Sequence, residues 1–306
     1  MRTFWRGIGV SGGLCAALAA AACSPKRAAE TVVANALSAT GDTFSSDDDP
    51  ALVEAAIPFG LKMMEAVIED LPRHQGLLLS AASGFTGYAY AFVQPEADET
   101  EAAQPEKSAE LRLRARKLFL RARGYGLRAL DVAHPGMSAA LLGSAAGPRQ
   151  AALARAAKQD VPAMYWTGAS WGAAIADGKD DIALIGTLPA VTDLMVRALA
   201  LDPDWGGGSL QEFFVAFDAA RGRRKEAEEH FRRALALDHG TRLSLFVSHA
   251  EGILLPEQDR AAFVAELRKV LAFDVDESRA RADRLANVLA QRRARWLLSR
   301  LDELFL

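Results

Sequence analysis

The segment Gly168-Ala-Ser170-Trp-Gly172 satisfies the G-x-S-x-G pattern of serine hydrolases. In those enzymes the serine sits on a strained turn between a strand and a helix, and an acid and a histidine follow along the chain. His230, His239 and His249 stand downstream in the permitted order. No buried parallel strand is indicated before the motif, and no alternation of strands and helices follows it. A hydrolase that uses Ser170 is therefore a minor alternative.

The sequence supports a metal site even less than it supports a serine hydrolase. None of the histidines stands in an H-E-x-x-H or similar ligand spacing, and two cysteines cannot supply a four-cysteine site. The five histidines are His74, His134, His230, His239 and His249. We therefore predict no metal and no cofactor. His230 and His239 are expected at the surface, and His74 is expected either to cap a helix or to face a cavity.

The N-terminus carries the pattern of an export signal. Arg2 and Arg6 precede an uncharged stretch over 7–22, and small residues lead to Cys23. This arrangement resembles a bacterial lipobox, in which the cysteine is acylated and becomes the new N-terminus. Ser24 at the next position favours the outer membrane over the inner one. A plain secretory signal with a chance cysteine is the alternative.

Composition places the rest of the chain among globular proteins. Half of the 306 residues are hydrophobic, and the formal net charge is -3, so we predict no binding to nucleic acid. We assign 1–22 to a signal peptide, 23–49 to a lipidated N-terminus and tether, and 50–306 to a single helical domain. Asp49-Pro50 has the pattern of a helix start. The acidic stretch 95–106 is expected to form a solvated surface loop.

A 36-residue period runs through the second half. Arg197-Ala-Leu-Ala-Leu-Asp202 recurs as Arg233-Ala-Leu-Ala-Leu-Asp238 and, degraded, as Lys269-Val-Leu-Ala-Phe-Asp274. An apolar stripe at i, i+4, i+7 and i+8 accompanies each copy, as on one face of a helix. The unit resembles the tetratricopeptide repeat, in which antiparallel helix pairs stack. We predict an all-α array of antiparallel helix pairs, with irregular N-terminal units around a central Gly/Ala-rich helix.

Two segments stand out because they lack charge: 76–94 and 161–176. The first is long enough to suggest a transmembrane helix, but polar residues recur through it. Both are expected to be buried helices at the centre of the array, where Gly and Ala let neighbours approach closely. Their tyrosines and tryptophans carry polar atoms that need partners, which favours a lined cavity beside the plain core role.

Four separated segments carry a resemblance to a known family: 71–94, 114–128, 165–172 and 285–298. They are similar to the TatT family of lipoproteins, which have tetratricopeptide-like repeats and are associated with tripartite ATP-independent periplasmic (TRAP) transporters. The resemblance implies a non-enzymatic, all-helical accessory subunit that is homotrimeric and faces the periplasm. It also implies binding to the TRAP solute-binding (P) subunit and a cavity or pore for a small organic solute, either apolar or a carboxylate. A histidine is expected near Gln211, where this chain has none.

The predicted site therefore consists of a lipidation residue, Cys23, and a set of cavity candidates. These candidates are His74, Phe85, Tyr88, Phe92, Tyr165, Trp166, Trp171, Asn287 and Gln291. For Asn287 and Gln291 the plain interpretation is an amide pair that holds the last helix against the array. Arg292, Arg293 and Arg295 fit a cationic helix face or an attraction for a carboxylate ligand. The alternative to a transport subunit is a helical-repeat scaffold of an envelope complex with no small-molecule site.

Overall fold

The computed structural model describes residues 31–36 and 41–305, and all regular secondary structure within them is helical. The prediction of an all-α array is confirmed. The signal peptide over 1–22 and the lipidation residue Cys23 lie outside the described residues. Ten long helices organise the described part: α1 Pro50–Asp70, α2 Gln75–Thr100, α3 Pro105–Ala133, α4 Val161–Ala176, α5 Leu188–Leu201, α6 Trp205–Ala219, α7 Arg224–Asp238, α8 Leu243–Leu254, α9 Arg260–Ala272 and α10 Arg284–Ser299.

Shorter helical pieces connect them. They are Gly41–Ser45, Met137–Leu142, Ala146–Ala154, Ile182–Ile185 and Leu301–Leu304, with 3₁₀ turns at Lys158–Asp160 and Ser278–Asp283. The helix α1 begins as its sequence predicts: the Asp49 carboxylate accepts hydrogen bonds from the backbone N–H groups of Ala51 and Leu52, and Pro50 occupies the first helical position.

The repeat period is matched by the helix positions in the second half. The helices α5, α7 and α9 begin at residues 188, 224 and 260, so successive starts are 36 residues apart. Three positions of the predicted stripe are buried in each helix: Val191, Met195 and Ala198; Ala227, Phe231 and Ala234; Phe263, Leu267 and Val270. The faces that the pattern assigns to the core are thus buried. That the pairs are tetratricopeptide repeats stays a prediction.

Small residues set the spacing of the central helices. A Cβ atom added to Gly126 on α3 would lie 2.2 Å from Thr167 Oγ1 on α4, and one added to Gly168 would lie 2.2 Å from Met195 Sδ on α5. Neither distance is sterically allowed. The glycines therefore let α3, α4 and α5 approach more closely than any other residue would.

The last long helix returns to the beginning of the described chain. The helix α10 contacts α1 and the segment Gly41–Ser45. Ion pairs join Arg284 to Asp48 at 2.8 Å, Arg293 to Asp98 at 2.8 Å and Arg292 to Glu99 at 2.6 Å. The helices thus close on themselves, with α10 as the closing element.

The acidic stretch 95–106 differs from its prediction as a solvated loop. The helix α2 continues to Thr100, and α3 begins at Pro105. The carboxylates of Asp98 and Glu99 pair with arginines of α10, as given above, because the ring closure brings that helix alongside. These two carboxylates therefore form contacts within the fold.

Two helical stretches of the described part have the length and apolar composition that would let a helix cross a membrane: α2, Gln75–Thr100, and Ile182–Leu201, which joins the short piece Ile182–Ile185 to α5. Core helices of soluble proteins meet the same criteria, and over half of the apolar window of the first is buried within this fold. The criteria therefore give only weak evidence of a membrane span.

Candidate functional site

Ser170 lies in the middle of α4 and has no exposed surface. Its hydroxyl donates to the backbone carbonyl of Thr167 at 3.0 Å. A nucleophile elbow needs a strand, a sharp turn and an exposed serine. A serine inside a helix, turned to its own backbone and shielded from water, does not provide one.

The predicted cavity residues on and before α2 have protein partners. His74 is the N-cap of this helix, and its Nδ1 accepts from the Leu77 N–H at 3.1 Å. Phe85 stacks on Tyr125, and the Tyr88 hydroxyl accepts from Arg114 at 3.2 Å. Phe92 is buried, with its ring 5.8 Å from that of Tyr88. These four side chains belong to the helix packing.

The candidates on α4 divide into two groups. Trp171 is fully buried, and its indole N–H donates to Thr187 Oγ1 at 2.7 Å. Tyr165 and Trp166 are partly exposed, with rings 5.0 Å apart. The ring of Tyr165 also lies 4.6 Å from that of Trp205 at the start of α6. Tyr165 therefore points toward the junction of α4 with α6.

The two amides of α10 bond to backbone groups. Asn287 accepts from the Leu243 N–H at 2.9 Å and donates to the Thr241 carbonyl at 2.9 Å. Gln291 donates to the carbonyls of Val270 and Phe273. Both side chains thereby tie α10 to the ends of α8 and α9.

The sequence prediction omitted Tyr90 from the site, and Tyr90 is the one exposed residue of α2 between Leu77 and Thr100. It exposes 60% of its surface. Burial nevertheless raises its pKa to about 12, with the charge of Glu212 as the next cause. The side chain is thus surrounded by many protein atoms although much of its own surface is open to water.

Four other side chains are linked to Tyr90 through electrostatics. The charges of Glu212 on α6, Glu251 on α8 and Arg293 on α10 all act on the pKa of Tyr90. Burial, and then the charge of Glu212, also raises the pKa of Tyr165 on α4. We call these five residues the Tyr90 recess: Tyr90, Tyr165, Glu212, Glu251 and Arg293. They come from α2, α4, α6, α8 and α10, so every second long helix contributes one.

Open space continues along α2. A Cβ atom added to Gly87 would meet nothing within 4 Å. Gly87 precedes Tyr90 by three positions and therefore shares its face of the helix. This side of α2 is therefore open over about one helical turn.

Two of the five residues of the Tyr90 recess lie in π-helical segments. Tyr90 belongs to a π-helical segment, Ala89–Val93, and Glu251 belongs to another, Ala250–Leu254. A π segment inserts an extra residue into a helical turn and redirects the side chains that follow, and such segments are frequent at functional sites. Both segments carry a member of the Tyr90 recess.

Glu212 is held beside a glycine turn. Gly206, Gly207 and Gly208 all have positive φ values of 62°, 58° and 100°, which only glycine adopts readily in succession. Arg242 donates to the Gly206 carbonyl at 2.8 Å and lies 3.7 Å from Glu212. Burial raises the pKa of Glu212, and the charge of Arg242 opposes the shift.

Two of the four tyrosine hydroxyls have a hydrogen-bond partner among the described residues, and two do not. Tyr88 and Tyr125 have protein partners, Arg114 and Glu65. The hydroxyls of Tyr90 and Tyr165 bond to no residue in the described part of the chain. Because Tyr90 is exposed and Tyr165 is partly exposed, these two hydroxyls are open to water or to a ligand.

Two clefts are found in the described residues, and none of the five residues lines either of them. One, of about 260 Å³, is lined by Ala219, Gly222, Arg224, Gly252, Ile253 and Pro256. The other, of about 180 Å³, is lined by Pro72, Arg73, Arg128, Asp131 and Val132. Across 31–36 and 41–305, no group of three or more His, Cys, Asp or Glu side chains could hold a metal ion.

Two of the histidines, His230 and His249, are not simply surface residues. His230 is half-buried, with Nδ1 2.7 Å from Gln211 Oε1, so a histidine does approach Gln211, from the next helix. His249 is buried between Glu266 at 2.6 Å and Glu228 at 3.1 Å. The prediction that His230 lies at the surface is therefore only partly met, because the side chain packs on Phe214.

Comparison with known proteins gives the family. A family model described as "TRAP transporter T-component" matches residues 46–305. A protein of Treponema pallidum (strain Nichols), named "Uncharacterized protein", is 31% identical over 274 residues, which cover 86% of this chain and 82% of that protein. The fold and the match define a helical component of a transport system. The chain belongs to the family of TRAP transporter T-components, and the predicted resemblance is confirmed.

Proposed function

We propose that the protein is the periplasm-facing lipoprotein subunit of a TRAP-type transport system, and that the Tyr90 recess is its ligand cavity. In this role the protein binds the solute-binding subunit and receives a small organic solute from it or passes one to it. Membership of the TRAP T-component family supports the accessory role. Acylation of Cys23, attachment to the outer membrane and assembly into a homotrimer belong to the same proposal. No bond is made or broken.

One observation supports the proposal of a cavity. Tyr90 is exposed on a helix whose neighbouring positions are all buried or partly buried, yet burial raises its pKa. Ligand sites are concave and mostly apolar, with a few convergent polar groups. The recess supplies convergent polar groups of this kind: two tyrosines with unpartnered hydroxyls and a carboxylate with a raised pKa, beside a glycine that leaves space.

The partner is tested by affinity purification of the tagged, full-length chain from the native envelope after brief cross-linking. We expect recovery of a TRAP solute-binding subunit. A purification that recovers the tagged chain but no TRAP subunit would contradict the transport role.

The cavity is tested by a matched pair of glycine variants. Both Gly87 on α2 and Gly124 on α3 have nothing within 4 Å of an added Cβ atom. Gly87→Leu fills the recess, whereas Gly124→Leu adds the same side chain elsewhere. We expect native mass spectrometry of the purified chain to show small molecules retained by the unsubstituted protein and by Gly124→Leu but lost from Gly87→Leu. Equal retention by both variants would leave the scaffold alternative as the better account.

A further inference from the structure

His249 on α8 lies between two glutamates that come from different helices. The ring is buried, with Nδ1 2.6 Å from Glu266 Oε1 on α9 and Nε2 3.1 Å from Glu228 Oε1 on α7. Ionised carboxylates only accept hydrogen bonds, so both ring nitrogens must donate, and only the imidazolium carries a proton on each of them. The geometry therefore fits the charged form of the ring and not the neutral one.

The two glutamates set the protonation of His249. Burial lowers its pKa, but the hydrogen bonds and charges of Glu266 and Glu228 raise it above its usual value. The other helices packed against α8 are α6 and α10, and their charged side chains at this contact have partners of their own. Glu212 and Asp218 on α6 pair with Arg242 and Arg223, and Arg293 on α10 pairs with Glu251.

The two contacts of the ring differ in length and in burial. The Glu266 contact is the shorter, and 13% of the Glu266 side chain is exposed, against 38% of that of Glu228. A neutral imidazole donates from one nitrogen and turns a lone pair toward the other carboxylate, which repels it. Glu228 can turn into water, whereas Glu266 would stay buried without a donor. Loss of the proton from Nε2 is thus the less costly change.

The ring of Phe231 on α7 adds a second contact that depends on charge. It stacks on His249, with the ring centroids 4.0 Å apart and the planes at 14°. An aromatic face attracts a cation, and this attraction disappears when the imidazole becomes neutral. Phe231 follows Glu228 by three positions, so both lie on one face of α7. Deprotonation therefore weakens both contacts of His249 with α7.

The boundary between α7 and α8 is open beside this ring. Arg224, one turn before Glu228, and Gly252 and Ile253, about one turn after His249, line the cleft of about 260 Å³. Near this cleft, Arg224 bonds to Glu257 at 2.7 Å. Polar side chains thus join the two helices around a gap, and the loss of one such contact is not masked by continuous packing.

We propose that His249 is a proton-controlled latch between helix pairs. Its imidazolium joins α7 to α9 across α8, and the loss of one proton releases Glu228 and α7 while Glu266 and α9 stay bound. The boundary between α7 and α8 then loosens, and the boundary between α8 and α9 does not. This device depends on neither the ligand nor the partner proposed above.

Nitrogen-15 NMR of the full-length protein with labelled histidine tests the first step. A pH titration gives the midpoint of His249, whose signals are assigned by their change in Glu228→Gln. We expect the neutral ring to keep its proton on Nδ1, beside Glu266, and to lose it from Nε2. A neutral ring with the proton on Nε2, or a ring that keeps one charge state throughout, would contradict the latch.

Double-mutant cycles test the release itself. The cycles combine His249→Phe, which keeps a ring against Phe231, with Glu228→Gln or with Glu266→Gln. Urea denaturation is measured about 1.5 pH units below and above the midpoint. We expect the coupling of His249 with Glu228 to change the unfolding equilibrium constant by about tenfold below the midpoint and by less than about twofold above it. The coupling with Glu266 should be at least about tenfold at both.

Glu229→Gln is the matched control, because Glu229 is the exposed neighbour of Glu228 on α7. It should show no coupling with His249 at either pH. A coupling with Glu228 that persists above the midpoint, or an equal loss of both couplings, would overturn the proposal. Where a double variant does not fold, the position of the proton in the unsubstituted protein decides the question.

Discussion

The guanidinium of Arg293 lies 2.8 Å from the carboxylate of Asp98, which joins the last long helix to the second. The same guanidinium reaches Glu251 at 2.6 Å, on α8. One side chain thus ties together three helices that each contribute to the ring. The charge of Arg293 also acts on the pKa of Tyr90, so one side chain takes part both in closing the fold and in the surroundings of Tyr90.

Loss of this contact should be costly. Arg293→Met keeps most of the side-chain bulk but leaves Glu251 without its cation and Asp98 with Arg112 alone. We expect the free energy of unfolding to fall by about 2–4 kcal/mol, as when one partner of a buried ion pair is removed. Urea denaturation followed by circular dichroism measures it. The neighbouring Arg292→Met breaks a more exposed pair with Glu99 and should cost less than about 1 kcal/mol. Equal losses in the two variants would show that α10 is not held through Arg293.

His249 should make the stability depend on pH. Burial disfavours the imidazolium, but the hydrogen bonds and charges of Glu266 and Glu228 outweigh it and raise the pKa of His249 above 6.5. The stabilisation is therefore complete below 6.5 and is lost as the pH rises through the raised folded-state pKa. We expect His249→Gln to lower the free energy of unfolding by about 2 kcal/mol near pH 6 and by clearly less near pH 9. A deficit that grows with pH would contradict the assignment. His239→Asn, at an exposed position, serves as the control.

The close approach of α3 and α4 at Gly126 should leave no room for a methyl group. The nearest atom to an added Cβ is the hydroxyl of Thr167, which is buried and donates to the Ala163 carbonyl at 2.6 Å. Because Thr167 backbone also lies within 3.2 Å, relaxation is limited. We expect Gly126→Ala to lower the free energy of unfolding by about 1–3 kcal/mol. Gly124→Ala, on the same helix with open space, should raise it by up to about 1 kcal/mol. Thermal unfolding of the two variants distinguishes these signs.

The sequence predicted those parts of the fold that depend on local periodicity. The apolar stripes around Val191, Phe231 and Phe263 specify one buried face each, and a helix is the only element with that spacing. The start of α1 at Asp49-Pro50 followed from capping chemistry in the same way. Both features are encoded within a few turns of chain, so no knowledge of distant contacts is needed to find them.

The recess could not be predicted as readily. Tyr90 and Phe92 stand two positions apart in the same uncharged segment, yet one faces water and the other the core. The hydrophobicity of this segment does not distinguish a side chain that faces water from one that packs in the core. A signal did exist, because Ser83, Gly87, Tyr90 and Gln94 are small or polar residues spaced by four, three and four positions on one helix face. The closure through Arg292 and Glu99, 193 residues apart in the sequence, left no comparable trace.

The central claim is that Tyr90 lies in a recess that small molecules can enter, and cysteine labelling tests it most directly. In a Cys15→Ser, Cys23→Ser background, the thiol of Tyr90→Cys should react with methyl methanethiosulfonate and resist a maleimide carried on a long polyethylene glycol chain. The thiol of Glu110→Cys, on an exposed face of α3, should react with both reagents. Reaction of Tyr90→Cys with the polymer as fast as that of Glu110→Cys would place Tyr90 on an outer surface and contradict the account.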